Sequence, residues 1–245
     1  NGATNLDLDI KETPQSISVV SSEQMAQFGA DNLNDALRLA TGIQVEEWET
    51  NRTNYVARGF DIKNTQIDGV GLPNDWGIVT GAMDAFGYEK LEVIRGANGL
   101  LTGVGNASGT INYVRKRPTN EAKGQLGVSV GSWGKRRVEI DYATPFTEDG
   151  RWAGRVAAAH EDGDSYLRGF NTDRNFFYGV VDGQIGDNGT LTMGYSWQKA
   201  NSDQNMWGAL TFVNADGSQA SWSRSASTTQ DWTYWDTKTE TAFTE

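Results

Sequence analysis

The sequence predicts an α+β domain followed by antiparallel transmembrane β-barrel strands that do not complete a barrel. Three observations lead there. Residues 1–118 mix short helical and strand patterns. Residues 119–245 hold only segments that alternate apolar and polar side chains, the period-two signature of strands with two different faces. Tight turns and longer loops alternate between those segments, the sidedness of an outer-membrane barrel.

The first unit reads as follows. Ile17–Val20 is a short strand after Thr13-Pro14-Gln15-Ser16. Ser21 or Ser22 caps a helix that runs to Phe28 and stops at Gly29. Asp31 is the expected cap of a second helix, with Leu33, Ala36, Leu37 and Ala40 on one face and Gly42 at its end. Strands are expected at Ile43–Trp48, Asn54–Phe60 and Thr65–Val70, then a loop Gly71–Asp84. The stretch Tyr88–Pro118 organises this half: a strand over Glu89–Arg95, a loop punctuated by Gly96, Gly99, Gly103 and Gly105, and a strand over Gly109–Arg115. So many glycines permit positive φ and close backbone approach. Gly103-x-Gly105-x-x-x-Gly109 has the wrong spacing for a dinucleotide fingerprint, and no Gly-Lys-Ser/Thr follows for a phosphate loop.

In the second unit, Leu126, Val128 and Val130 share one face of Gln125–Ser132. Val138, Ile140, Tyr142 and Phe146 oppose Arg137, Glu139 and Asp141. Trp152, Val156 and Ala158 oppose Arg151, Arg155 and Glu161, and Phe177, Val181 and Ile185 oppose Arg174 and Asp182. Leu191, Met193, Tyr195 and Trp197 oppose Thr192, Ser196 and Gln198. Segments of about ten residues match the ~9–11 needed to cross a bilayer at a tilt. Thr147–Gly150 and Gly186–Gly189 are tight turns; Gly163–Asp173 and Ala200–Lys238 are longer loops. A soluble antiparallel sandwich shows the same alternation, with the apolar face as a shared core, and alternation alone does not separate the two.

Composition removes several classes. A net charge of −11 over 245 residues lacks the basic footprint that nucleic-acid binding needs. Absence of cysteine excludes a disulfide frame and a thiolate site. The single histidine, His160, leaves no histidine cluster for a metal. Asp162, Asp164 and Asp173 lack calcium-loop spacing. No nucleophile stands near His160-Glu161-Asp162, so neither an enzyme nor a resident cofactor is expected. No apolar run approaches the ~18 residues of a membrane helix.

ETPQSISVVSSEQM, YVARGFDIKNTQIDGV and YEKLEVIRGANGLLTGVGNASGTINYVRKRP, in that order, resemble the plug domain of TonB-dependent outer-membrane receptors. GSWGKRRVEIDYATPFTEDGRWAGRVAAAHEDGDSYLR resembles their first barrel strands. Within the family the likeness is to ferric-siderophore receptors of the coprogen/rhodotorulic-acid and ferripyoverdine type. It implies a plug over residues 1–118, inside a barrel of about 22 strands whose first part is 119–245. Ligand would bind from outside at the plug apex and be imported with TonB-supplied energy. The implied partners are a ferric siderophore, TonB, and outer-membrane lipid or lipopolysaccharide, with iron as cargo. No TonB-binding box is evident in Asn1–Ile10 and the strands run out near the sixth, so coupling and transport are expected to need more chain.

A rigid, partly apolar, often anionic chelate needs a cation or donor between aromatic walls. The resemblance places Arg58 at the apex; Asp61 or Asp68 would be its partner if it were structural. Asn74, Asp75, Trp76 and Gly77 tip the next loop, Leu101 lies in the third, and Tyr55 is expected to face the pocket. In the long outer loop Trp207 and Trp222 are expected at the ligand, and Trp232–Trp235 at the membrane girdle. Arg137, Glu139, Asp141, Arg151, Arg155 and Asp182 are expected to pair with the plug across the lumen. A receptor for haem, cobalamin or a glycan and a soluble β-rich binding module are the alternatives; a lone histidine speaks against haem.

Overall fold

The computed structural model describes residues 15–72, the backbone of 78–80, and residues 83–96 and 108–245. Strand β1 (Ser16–Ser21) runs directly into helix α1 (Ser22–Phe28). The Ser21 hydroxyl accepts from the Gln24 amide at 3.1 Å, and Gly29, at φ 61, closes the helix. Helix α2 (Leu33–Arg38) is capped by Asn32, whose side chain accepts from the Asp35 amide at 2.9 Å, and it ends before Gly42. Asp31, the expected cap, is instead drawn to Lys135 at 2.9 Å, because an ion pair is available to it and a second cap is not needed.

Strands β2 (Ile43–Glu47), β3 (Arg52–Ala57) and β4 (Phe60–Asp61) form an antiparallel meander, with β7 (Ile78–Thr80) on the same edge of β3 as β4, opposite β2. The expected strand Asn54–Phe60 is therefore broken. Ala57 pairs with Phe60 across Arg58 and Gly59, at φ 55 and φ 82. Two left-handed residues make the hairpin turn whose twist suits antiparallel strands. Asp68 and Gly69 repeat the device between β5 (Asn64–Ile67) and β6 (Val70–Leu72). With β8 (Tyr88–Arg95) and β9 (Gly109–Arg115), the central sheet has the order β1-β8-β9-β5-β6; only β5 and β9 are parallel. At Gly109, φ 151, a Cβ would stand 2.5 Å from the Ile94 carbonyl oxygen, so the close β8–β9 approach requires glycine there. Val20, Leu37, Tyr55, Ile62, Leu91, Val93 and Ile111 fill the core between this sheet, the helices and β3.

The remaining strands form one antiparallel meander in chain order: β10 (Lys123–Val130), β11 (Arg136–Pro145), β12 (Trp152–Asp164), β13 (Asn171–Ile185), β14 (Gly189–Asp203) and β15 (Tyr234–Thr244). The last three connected hairpins outrun the sequence-predicted segments, and the long loop contracts to residues 204–233. The two faces are unlike. Leu126, Ile140 and Met193 are 72%, 49% and 49% exposed, while Ala157, Tyr178 and Arg137 on the opposite face are closed off by the first unit. A sandwich would bury the apolar row and wet the charged one. The reverse arrangement rejects the soluble sandwich and is that of a barrel wall with an apolar outer face and a polar interior.

Ion pairs hold the first unit to the wall. Asp84 receives both terminal nitrogens of Arg137, at 2.9 and 3.1 Å, and Nε of Arg174 at 2.9 Å. Its amide donates to Gln198 at 2.7 Å. Glu161, Asp31 and Lys135 extend the cluster. Asp141 takes Lys116 at 2.8 Å and both sides of the Arg155 fork. Arg117 lies 3.6 Å from Asp182 and 2.6 Å from Glu245. Two expected partners behave otherwise: Glu139 pairs with Arg137 of its own strand, and Arg151 donates to the Gly186 carbonyl.

Two expectations follow. Burial alone would raise the Asp84 carboxyl, but Arg174 and Arg137 hold it below the usual carboxylate range. A group depressed in this way contributes stability that is complete above its unfolded value and is lost as pH falls through the folded one. Protection factors against hydrogen exchange at residues 83–88 should thus be flat from neutral pH to about 4 and fall only below that. Asp84→Ala, which removes the plug's partner of two buried guanidiniums but leaves them Glu139 and Glu161, should lower plug stability by about 1–3 kcal/mol in a urea titration. On the other face, Ile140→Lys should lower the folding free energy of the full barrel into lipid by about 2–4 kcal/mol.

Candidate functional site

Arg58 owes its place to the β3–β4 turn. A non-glycine residue with positive φ is uncommon, and Arg58 is held there by the ladder on both sides. Its side chain is exposed, and a Cβ on Gly96 would stand 3.7 Å from its Nη1. The two carboxylates that would make it structural are engaged elsewhere: Asp68 with Arg115 at 2.9 Å, Asp61 with the Asn54 amide at 2.7 Å. Among the described residues Arg58 forms no ion pair.

The sheet gives this end a direction. Arg115 and Arg117, at one end of β9, are bound to Asp68, Asp182 and Glu245 near the short wall turns. Arg95, Gly96 and Gly109 mark the other end of the β8–β9 pair. Arg58 therefore lies beside the sheet end that points away from the short turns.

A second constellation sits where the β2–β3 hairpin meets the loop 204–233. The Arg52 guanidinium lies 4.5 Å from the Trp207 ring centroid and 5.3 Å from that of Trp48. Trp207 stacks on Trp235 at 6.4 Å and 18°. Glu49 grips Arg52 through both oxygens, at 2.7 and 3.0 Å. Trp48 is fixed in turn by its Nε1, which donates to Asn54 at 2.6 Å. Thr50 reaches Asn205 and Met206, and Asn51 donates to Ser202 at 3.2 Å. Arg52 and Arg58 stand at opposite ends of β3, about 20 Å apart at ~3.3 Å per residue. Trp207 is thus paired with Arg52 and not with Arg58.

The other expected residues divide. Tyr55 is a correction: it is 2% exposed, packed in the core, with its hydroxyl donating to Asn34 at 2.7 Å. Burial pushes that hydroxyl well above its ordinary pKa. Thr53 to Ala57 are all buried, so β3 is covered on both faces. Trp222 is half exposed, its Nε1 donating to the Thr211 carbonyl at 2.7 Å inside the loop. Trp235 is not a girdle residue: it pairs with Ser202 on the inner face. Asn74, Asp75, Trp76, Gly77 and Leu101 lie outside the described residues. Sequence reasoning missed Trp48 and Arg52, whose only signal is their place on either side of Glu49-Thr50-Asn51. His160 faces outward and contacts Asn175 at 2.8 Å. A cleft of about 830 Å³ between α1, the β8–β9 pair and β10–β12 is lined by charges of the plug–wall seam, Lys116, Arg137, Asp141 and Arg155 among them.

Comparison with known proteins matches this architecture. Residues 9–110 match the TonB-dependent receptor plug domain. The ferripyoverdine receptor of Pseudomonas aeruginosa is 37% identical over 245 residues, covering 98% of this chain and 30% of the receptor. The ferric-pyoverdine 358 receptor of Pseudomonas putida is 35% identical over 247 residues, covering 99% of this chain and 30% of that protein. The crystal structure of the Pseudomonas aeruginosa receptor bound to ferripyoverdine superposes with a TM-score of 0.92 at 36% identity, over 99% of this chain and 33% of that one. This chain thus spans about a third of the length of these relatives. Plug motifs, lumen-facing ion pairs and an apolar outer wall coincide with that likeness along the whole chain: it belongs to the TonB-dependent receptors of the outer membrane, as a plug followed by the first barrel strands.

Proposed function

We propose that the receptor containing this chain binds a ferric siderophore at the outer end of its plug and carries it into the periplasm with energy supplied by TonB. The observation that carries this reading is Arg58, an exposed cation in a left-handed turn whose carboxylate neighbours are engaged elsewhere. A guanidinium so placed suits an anionic chelate, to which it can donate two parallel hydrogen bonds. Asn74, Asp75, Trp76 and Gly77 directly precede β7 in the chain, whose Ile78 pairs with Asn54 of β3. Leu101 belongs to the loop that leaves Gly96. These residues, with Trp207 and Trp222 from the outer loop, make up the proposed contact set; Tyr55 is excluded by its burial.

Iron enters this scheme inside the siderophore, as cargo rather than cofactor, and the protein transports rather than catalyses. Outer-membrane lipid and lipopolysaccharide cover the apolar outer face. Haem is a poorer fit, since the one histidine of this chain turns away from the lumen. The relatives named for ferric pyoverdines support a siderophore over cobalamin or a glycan.

The test is a titration of the full-length receptor in detergent with ferripyoverdine, the ligand of the solved relative. Arg58→Ala is expected to weaken binding by at least about 1.5 kcal/mol, the scale of a lost charged hydrogen bond, or roughly tenfold in Kd. Equal affinity of variant and wild type would remove Arg58 from the site.

A further inference from the structure

We propose that Lys199 and Lys238, side by side on the outer face of the wall, form a binding site for a phosphate group of lipopolysaccharide in the outer leaflet. The site rests on the lipid cover assigned above and adds to it a defined contact between protein and headgroup.

The register puts the pair in place. Asn175, Lys199 and Lys238 share one cross-strand row of β13, β14 and β15, with His160 of β12 beside Asn175. Their neighbours along the strands, Arg174 and Gln198, are buried against the plug side, so this row faces out. The next row toward the short turns holds Ala158, Phe177, Trp197 and Glu240, and the rows after it hold Val156 and Tyr195, then Val181 and Met193. Lys199 stands ten positions beyond Gly189, where β14 leaves its tight turn. That is about 33 Å along the strand at ~3.3 Å per residue, or about 25 Å of height at the ~40° tilt of such strands, which equals the ~25 Å apolar band. The two lysines therefore lie at the outer edge of the hydrocarbon.

Their charges lack an adequate answer within the protein. Like charges directly opposite each other across a ladder cost free energy. Both lysines are exposed, and among the described residues Lys199 forms no ion pair. Lys238 lies 3.1 Å from Glu240, an exposed carboxylate that also accepts from the Tyr195 hydroxyl. One row farther out stand Asp162, Asp173 and Asp236. Asp162 and Asp173 are drawn to His160, at 3.5 and 4.0 Å, and Asp173 accepts from Asn175 at 3.0 Å. The order outward is thus aromatic, then ammonium, then carboxylate. Lipopolysaccharide carries its phosphates where its acyl chains end, with divalent cations bridging them on the water side. Ammonium groups at the chain ends meet the phosphate, and the carboxylates beyond them face the bridging cations. A phosphate between Lys199 and Lys238 accepts charge-assisted hydrogen bonds from both and removes their mutual repulsion.

The test uses the full-length receptor, purified in detergent and stripped of lipid, with bisphosphorylated lipid A and its dephosphorylated form as probes. Wild type is expected to bind the bisphosphorylated probe at least about tenfold more tightly, the scale of one charge-assisted hydrogen bond. The double variant Lys199→Gln with Lys238→Gln should bring the two probes to equal affinity, and Lys199→Gln alone should go part of the way. Replacing both by arginine should keep the preference. A thermal unfolding midpoint shared with wild type shows that each variant is folded. A preference that survives in the double glutamine variant, or none in wild type, would overturn the site. Displacement of lipid A by an equal concentration of inorganic pyrophosphate would make it a site for a free anion and overturn the lipid. Equal binding of both probes by wild type leaves the lipid cover standing without the lysine site; binding of neither overturns the cover itself.

Discussion

A buried carboxylate between two guanidiniums fixes how this chain is put together. Asp84 lies in the plug; Arg137 and Arg174 lie on wall strands β11 and β13. Charges removed from water are tolerated only when paired and hydrogen-bonded; Asp84 finds its two guanidiniums on the wall, while Arg137 and Arg174 also have Glu139 and Glu161 beside them there. The plug therefore reaches its seat only in the register that closes this cluster. A lost register would leave Asp84, 3% exposed, without the two guanidiniums that neutralise it. An apolar seam would be more forgiving of slippage and harder to part. The seam here combines specificity with the possibility of hydration, since every group in it can be re-solvated by water when the plug moves.

The wall shows why the seam has to be polar. Along each strand, alternate residues point to opposite faces, so an outward row that meets hydrocarbon forces the inward row to carry whatever contacts the plug. Ile140 and Asp141 are neighbours in sequence with opposite solvents. Asp141 is satisfied by Lys116 and Arg155, and the Lys116 carbonyl in turn accepts from Tyr178 at 2.8 Å. The plug's final segment, Arg115–Arg117, is thus threaded into the wall by three successive side chains: Arg115 lies over the Phe243 ring at 3.7 Å, Lys116 bonds Asp141, and Arg117 lies near Asp182.

Much of this was legible in the sequence, for reasons that also mark where legibility stops. Period-two alternation over ten residues is a direct imprint of a two-faced strand, so the wall from Leu126 to Trp197 could be placed face by face. Ser21 and Gly29 are local signals, since a cap needs only its own turn. Asn32 and Asp31 show the limit: both are good caps, and the choice fell to Lys135, a residue over a hundred positions away. Arg58-Gly59 was hidden inside an apolar run because arginine is a rare occupant of a left-handed turn. Tyr55 looked accessible beside Arg58, but β3 is covered on both faces from Thr53 to Ala57, and exposure begins only in the turn beyond it. Trp207 and Arg52 stand 155 positions apart in the chain, and no local pattern links an indole to a distant cation.

The β3 strand ties these features together. Its ends carry the two arginines that the plug presents outward, each backed by a different device. Arg58 is held by backbone geometry, in a conformation that costs free energy for any residue with a side chain and that the β3–β4 ladder sustains. Arg52 is held by its neighbours, Glu49 and Trp48. Between them Asn54, buried, bonds the supports of both: Asp61 toward the Arg58 turn and Trp48 toward Arg52. An amide serves here where a charge would not, because it donates to a carboxylate and accepts from an indole at once. A single rigid strand thus spaces the two cations at about 20 Å. Their separation is therefore a property of β3's length, set by the same hydrogen-bond ladder that builds the plug.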